Sequence, residues 1–260
     1  MITYPNISPI AISIGPLDIR WYGITYLLGL AVGWALGRYR LSTKKYLNIT
    51  PTEFSDLLLS VAIGLLLGGR LGYMLFYKTT VLFTAPWEVF MIRQGGMSFH
   101  GGLIGVIIAM LWFCRQNKLN FFAVTDFVAP LAPPAFLFGR IGNFINGELW
   151  GKVTDVPWGM VFPYAGDLPR HPTQLYEGFL EGIVLFLILW VYTLKPRPRM
   201  ATSGLFMICY GLFRWIVEFF RMPDSHLGYI AFDWLTMGQL LSLPMVAVGI
   251  ILIIKAYQEK

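Results

Sequence analysis

Charged residues are scarce in this sequence. Only 13% of its 260 residues are Asp, Glu, Lys or Arg, while 56% are hydrophobic and the mean hydropathy is +0.61. A soluble domain carries about a quarter charged residues, so an ordinary water-exposed surface is excluded and lipid is the expected solvent. Cysteine is nearly missing as well. Cys114 and Cys209 both fall in apolar segments, which leaves no disulfide framework or thiolate metal site and makes each a small buried hydrophobe. The opening stretch MITYPNISPIAISIG lacks a basic region and holds two prolines; it does not read as a cleavable signal peptide, and the first span is expected to direct insertion itself. No internal repeat, nucleotide-binding loop or metal cluster is visible, so no cofactor is expected. The net charge of +6 and pI near 9.3 would point to nucleic acid in a soluble chain. Here they read as basic loops facing anionic lipid, with no nucleic-acid partner.

Uncharged runs are what the chain has in their place. Residues 21–37, 94–114 and 234–254 are free of charge, and a run of roughly 20 apolar residues is enough to cross the hydrocarbon. Four further stretches are broken by a charge or by proline: 54–77, 123–139, 175–194 and 201–220. The expected fold is therefore an all-α integral membrane protein of about seven transmembrane helices. Its single polytopic domain spans 1–260 and includes a small extracytoplasmic head at 140–174. One side of that bundle collects Arg38, Arg40, Lys44, Lys45, Arg115, Lys118, Lys195, Arg197, Arg199, Lys255 and Lys260. The other side has Arg20, Lys78, Arg93, Arg140, Lys152, Arg170 and Arg221 over longer connections. By the positive-inside rule the N-terminus is expected outside and the C-terminus in the cytoplasm.

The polar residues gather at the outer ends of these helices. GGMSFHGGLIG (95–105) puts His100 between glycine pairs; a histidine there serves either as a base or as a hydrogen-bonded interfacial residue. GRIGNFINGELWG (139–151) packs Arg140, Asn143, Asn146, Glu148 and Gly151 into one stretch after a proline-broken helix. Such polar density does not face lipid, because each unpaired group in hydrocarbon is costly. Either it is a tight loop in which Arg140 pairs with Glu148, or Arg140 holds a phosphate through its planar fork. RHPTQLYE (170–177) reads chiefly as a capping and anchoring turn for the next helix. In CYGLFRWIVEFFR (209–221), Tyr210, Arg214, Glu218 and Arg221 are spaced 4, 4 and 3 and so share one helical face. Ionisable groups inside a membrane helix are functional candidates by default, although an Arg214–Glu218 brace remains the plainer alternative. Arg70 in GGRLGYMLFY has no polar cluster of its own and reads as structural. Tyr22 reads as an interfacial anchor.

In order along the chain, WYGITYLLG, GGRLGYMLFY, GGMSFHGGLIG, GRIGNFINGELWG, RHPTQLYE and YGLFRWIVEFFR resemble the prolipoprotein diacylglyceryl transferase family. GRIGNFINGE is close to that family's signature. The resemblance implies a seven-helix enzyme of the bacterial inner membrane, with its site toward the periplasm. Such an enzyme moves the diacylglyceryl group of phosphatidylglycerol onto the lipobox cysteine of a prolipoprotein and releases glycerol phosphate. It implies that Tyr22, His100, Arg140, Asn143, Glu148, Gly151, Tyr210, Arg214 and Glu218 are the important positions. Residues 152–169 carry no recognisable motif, so the head is expected to be minimal.

The chemistry of the residues fits that reaction. The nucleophile belongs to the peptide substrate, and a thiol with pKa near 8.5 gains from a base such as His100. Arg140 and Arg214 would clamp the phosphate, Glu148 and Glu218 would orient those arginines, and Asn143 would bond a glycerol hydroxyl. Expected catalytic groups are thus His100, Arg140, Arg214, Glu148, Glu218, Tyr22 and Tyr210. Arg140, Asn143, Asn146, Gly151, Arg214 and Arg221 are expected to hold substrate. The alternative, a small-solute or ion transporter, would need polar residues down to the cytoplasmic side.

Overall fold

Helices account for most of the chain in the computed structural model, which describes residues 2–43, 47–91, 95–223 and 228–258. Lys44, Lys45, Arg93 and Lys260, counted in the charge bias, lie outside these residues. The helices are α1 (Trp21–Thr43), α2 (Pro51–Tyr77), α3 (Thr79–Thr84), α4 (Phe99–Gln116), α5 (Phe121–Val128), α6 (Pro133–Ile145), α7 (Thr173–Glu177), α8 (Leu185–Tyr192), α9 (Ala201–Glu218) and α10 (Met237–Gln258). A π-helical segment, Gly178–Val184, joins α7 to α8. Four helices are long and apolar enough to cross a membrane: α2, α4, the continuous Thr173–Tyr192 and α10. The pair α5–α6, bent by 45° where Pro130, Pro133 and Pro134 interrupt the ladder, makes a fifth. Length and apolarity thus account for four or five spans rather than seven; α1 and α9 coincide with the other two expected segments.

The chain divides into two compact units, Met1–Leu36 with Thr125–Lys260, and Gly37–Val124. In the second, α2 and α4 meet along glycines. Gly64, Gly68 and Gly72 recur every four residues on α2 and face Gly101 and Gly105 of α4. A Cβ on Gly105 would lie 1.9 Å from the Gly64 carbonyl oxygen, and one on Gly101 would lie 2.3 Å from that of Gly68. Backbones approach so closely only through small residues. Ser98 caps α4, its Oγ accepting from Gly101 N at 3.2 Å. Arg70, buried on α2, donates to the carbonyls of Glu88 (2.6 Å), Val89 (3.1 Å), Met91 (3.1 Å), Gly95 and Gly96 (3.2 Å), so it ties down the connection to α4. Its structural reading holds.

Gly105→Ala is expected to lower stability by about 1–3 kcal/mol, the range for overpacking a close contact. Gly23→Ala in α1, where an added Cβ meets nothing within 4 Å, should be neutral or stabilising by about 0.5–1 kcal/mol. Thermal unfolding of both variants in one detergent checks the contrast; equal midpoints would remove the glycine contact as the reason for α2–α4 pairing.

In the first unit α9 and α10 cross at Gly204 and Gly249, where an added Cβ would come within 2.8 and 2.7 Å of the opposing carbonyl oxygen. Asp126 caps α9 from α5. Its carboxylate accepts from Met200 N (2.7 Å), Ser203 N (2.7 Å) and Ser203 Oγ (2.6 Å), which answers the unpaired donors at a helix N-terminus. Within residues 140–174 a short strand takes part in a small packed core. Strand β1 (Ile2–Thr3) pairs in parallel with β4 (Met160–Val161). Tyr4, Met160 and Phe162 are buried together, with Phe144 and Trp150 packed against them. The Tyr4 hydroxyl donates to the carbonyls of Phe144 (2.6 Å) and Ile145 (3.1 Å) at the end of α6. A hairpin of β2 (Ile10–Ile14) and β3 (Leu17–Arg20) precedes α1.

Candidate functional site

Each of three closely packed helices contributes charge to one cluster in the first unit. Gly178 and Gly182 let Leu137 of α6 press onto the π-helical segment; a Cβ on Gly182 would sit 2.7 Å from that of Leu137. This brings Arg140, one turn further along α6, over the carboxylates of Glu177 and Glu181. Arg140 Nε lies 2.9 Å from Glu177 Oε2, and Nη2 lies 3.7 Å from Glu181 Oε2. From α9, Arg214 Nη1 meets Glu177 Oε1, and Nη2 stands 2.8 Å from Glu218 Oε2. Arg221, just past α9, reaches Glu177 Oε1 at 4.0 Å and Glu218 Oε2 at 3.8 Å. Tyr210, stacked on Phe206, is within electrostatic reach of Arg140, Arg214, Glu177 and Glu181. The face expected on α9 therefore holds, with Arg221 joining it from beyond the helix end.

Burial is unequal across this cluster. The carboxylate side chains of Glu177, Glu181 and Glu218 are 0%, 1% and 3% exposed, whereas Arg140, Arg214 and Arg221 are 21%, 14% and 11% exposed. The arginine side chains are therefore the more exposed members of the cluster. The pairs are also incompletely matched: Glu177 Oε2 and Glu218 Oε2 lie close to guanidinium nitrogens but off the N–H directions needed for a hydrogen bond.

A second polar group flanks the first. The glycine-rich stretch is helical through Ile145, so Arg140 and Asn143 project from α6 rather than from a loop. Gly142 is the reason α6 comes so near α1: a Cβ there would lie 2.6 Å from Thr25 Oγ1 and 3.1 Å from Tyr22 Cδ2. Asn143 Nδ2 donates to Glu148 Oε1 at 2.9 Å, and Asn146 Nδ2 to the same oxygen at 3.2 Å. The Tyr22 hydroxyl, near Asn143, lies 3.1 Å from that of Tyr26. Glu148 is exposed, on a turn with Gly147 and Leu149 at positive φ (66° and 58°). Buried Gln174 donates to the Glu148 carbonyl, and Thr173 Oγ1 to that of Leu149 at 2.9 Å. The pairing of Arg140 with Glu148 is replaced: two amides hold Glu148, while Arg140 meets Glu177 and Glu181. Orienting arginines thus falls to Glu177, Glu181 and Glu218.

Gly151 joins the stretch after α6 to the end of α9. Its N–H donates to His171 O at 2.8 Å, its backbone bridges Arg221, and a Cβ would lie 2.5 Å from Phe220 O. Arg170 donates to Gly151 O at 3.3 Å and lies 4.3 Å from the Trp150 ring centroid. Trp158 Nε1 donates to the Tyr176 hydroxyl at 2.7 Å, which in turn lies 3.0 Å from His171 Nδ1. Burial pushes the His171 imidazole below its ordinary pKa, with Lys152 acting in the same sense and Asp155 opposing. His100, by contrast, belongs to the second unit. It is the second residue of α4, exposed, in edge contact with the Phe99 ring at 5.6 Å.

The residues missed by the sequence reading are Glu177 and Glu181. Both are carboxylates in an apolar helix, one turn apart, and that alone marks them as partners for intramembrane arginines.

Residues 9–255 match the family model described as prolipoprotein diacylglyceryl transferase. A phosphatidylglycerol–prolipoprotein diacylglyceryl transferase of Methylococcus capsulatus is 54% identical over 260 residues, covering 100% of this chain and 99% of that protein. A protein of that name from Oleidesulfovibrio alaskensis is 56% identical over 253 residues, 97% of this chain and 94% of its own. One from Legionella pneumophila is 55% identical over 250 residues, 96% and 97% of the two chains.

Proposed function

This chain belongs to the prolipoprotein diacylglyceryl transferase family, and from that premise we propose how its residues carry the reaction. It is a transferase that moves the diacylglyceryl group of phosphatidylglycerol onto a prolipoprotein. The acceptor is the thiol of the lipobox cysteine. As thiolate it attacks the glycerol carbon bound to the phosphate oxygen; the C–S bond forms, the C–O bond breaks, and glycerol phosphate leaves. The enzyme is one polytopic domain of seven spans in the bacterial inner membrane, with α1 and α9 as the sixth and seventh. The excess of basic loop residues supports a periplasmic N-terminus and a cytoplasmic C-terminus. On that orientation the 140–174 element is the extracytoplasmic head.

The observation that carries the reading is the ion cluster, in which three arginine side chains that keep 11–21% exposure meet three carboxylates that keep 0–3%. Arg140 and Arg214 hold the lipid phosphate and stabilise the charge that grows on the leaving oxygen. Glu177 and Glu218 hold those guanidiniums in place. Asn143, Asn146, Gly151 and Arg221 complete the substrate site, with Tyr22, Tyr210 and Glu148 beside it, and His100 takes the thiol proton. Purified protein given phosphatidylglycerol and a lipobox peptide is expected to release glycerol phosphate in step with thioether formation. Absence of both products would overturn the assignment.

Arg140→Lys separates a fork from a point charge. Lysine keeps the charge but cannot engage Glu177 and Glu181 at once while presenting a planar edge to phosphate. Losing one charge-assisted hydrogen bond, about 1.5–3 kcal/mol, predicts a transfer rate lower by about 10–100-fold, with thermal stability near the parent's. A near-parental rate would reduce Arg140 to a brace.

A further inference from the structure

The buried ion cluster sets three guanidiniums, Arg140, Arg214 and Arg221, against three carboxylates, Glu177, Glu181 and Glu218, so with all six ionised it carries no net charge. A phosphodiester brings one negative charge. Seated on the guanidiniums, it leaves an excess charge among groups shielded from water, and an uncompensated buried charge is costly. Neutrality returns if one carboxylate withdraws or takes a proton. Glu177 is poorly suited to either, because it meets all three arginines. Glu218 pairs with Arg214 and Arg221, and its carboxylate abuts Gly238 at the start of α10, where an added Cβ would lie 2.8 Å from Glu218 Cδ. A helix N-terminus favours negative charge there.

Glu181 differs from both. Its one ion pair among the described residues is the longer of the two on Arg140, 3.7 Å; its Oε1 lacks a hydrogen-bond partner among them, as do Glu177 Oε2 and Glu218 Oε2, but those two oxygens each have a guanidinium nitrogen within 2.9 Å. The charged and titratable groups around it are Arg140 from α6, Glu177 one turn earlier on its own helix, Arg214 and Tyr210 from α9, and Arg221. Glu177 repels it at i,i+4 spacing, while the arginines divide their charge among three carboxylates.

We propose that binding of an anionic phosphodiester lipid at this cluster is coupled to uptake of one proton by the Glu181 carboxylate. The proton leaves hydronium or the buffer acid, whose bond to it breaks as the carboxyl O–H bond forms, and the occupied site becomes neutral again. The inference rests on the reading that the lipid phosphate sits on Arg140 and Arg214. It makes Glu181 a positioning residue that adjusts the cluster's charge without touching the lipid.

The test is calorimetry of dioctanoylphosphatidylglycerol binding to the full-length protein in detergent, in pairs of buffers with different ionisation heats. Close to one proton taken up per lipid is expected, with affinity falling by as much as about tenfold per pH unit as the pH rises through the coupled range. In Glu181→Gln, a neutral mimic of the protonated form, uptake should vanish and the affinity should become independent of pH. Lipid binding by the parent without proton uptake would overturn the inference, as would undiminished uptake in Glu181→Gln. If the variant does not fold, the parent's buffer dependence decides alone. Phosphatidylglycerol binding unchanged in both Arg140→Lys and Arg214→Lys would overturn instead the placement of the phosphate.

Discussion

Glu177→Gln is expected to cost about 3–5 kcal/mol of stability, the range for removing one partner from a buried ion pair, and to slow diacylglyceryl transfer by about 10²–10³-fold. The reason is geometric. Glu177 is the carboxylate that Arg140, Arg214 and Arg221 share, and it is fully buried. Glutamine fills the same volume but leaves one uncompensated positive charge and turns a donor toward guanidiniums that are themselves only donors. Arg140 and Arg214 then repel each other without the anion between them, and the phosphate meets arginines out of register. The comparison is Glu88→Gln, whose surface pair with Lys78 at 3.8 Å has partners 28% and 43% exposed. Pairs of that kind contribute about 0–1 kcal/mol. Thermal unfolding and single-turnover release of glycerol phosphate, measured on both variants, would sink the shared-carboxylate role if they behaved alike.

That the pivotal carboxylate escaped the sequence reading has a physical cause. His171, Pro172, Gln174 and Glu177 have the composition of a helix start, and part of the segment is one: Thr173 and Gln174 grip the backbone of Leu149 and Glu148. A capping role and a catalytic-site role lie one turn apart on the same helix, and local composition does not separate them. The π-helical turn that aims Glu181 inward has no sequence signature either. It became visible only with Gly178 and Gly182 packed on Leu137. The GRIGNFING stretch misled in the opposite direction. Its glycines read as loop, yet Gly142 is helical because α1 comes against it at Tyr22 and Thr25. What was legible depended on regular spacing: the uncharged runs located the helices, and the 4, 4, 3 interval on α9 assembled Tyr210, Arg214, Glu218 and Arg221. The head was illegible for the converse reason. Its core joins Tyr4, Phe144 and Phe162 from distant parts of the chain through strands of two residues, too short to leave any periodicity.

His100→Gln is expected to lower the transfer rate by about 10²–10⁴-fold, the contribution of a positioned general base, while phosphatidylglycerol binding stays largely intact. The argument starts from the substrate. A cysteine thiol near neutral pH is only partly ionised, the thiolate is the nucleophile, and something must take the proton. Glu148 is held through its carboxylate by Asn143 and Asn146, and Glu218 is occupied with two arginines. Both would give up an established contact to act as a base. His100 is exposed at the glycine-flanked start of α4, in edge contact with Phe99, and among the described residues it has no carboxylate partner to give up. If the imidazole is the base, the parent's rate should rise with pH as the base loses its proton, and glutamine should flatten that rise. The variant should then recover part of the lost rate as the pH approaches the thiol's own pKa near 8.5, because more thiolate forms unaided. A hydrogen bond from His100 to a headgroup predicts something else: glutamine, also a donor, would keep much of the activity and the shape of the profile. The measurement is a pair of pH–rate profiles at saturating lipid. Profiles that superimpose after scaling by a small constant would remove His100 as the base and leave Glu148 or Glu218 as the next candidates.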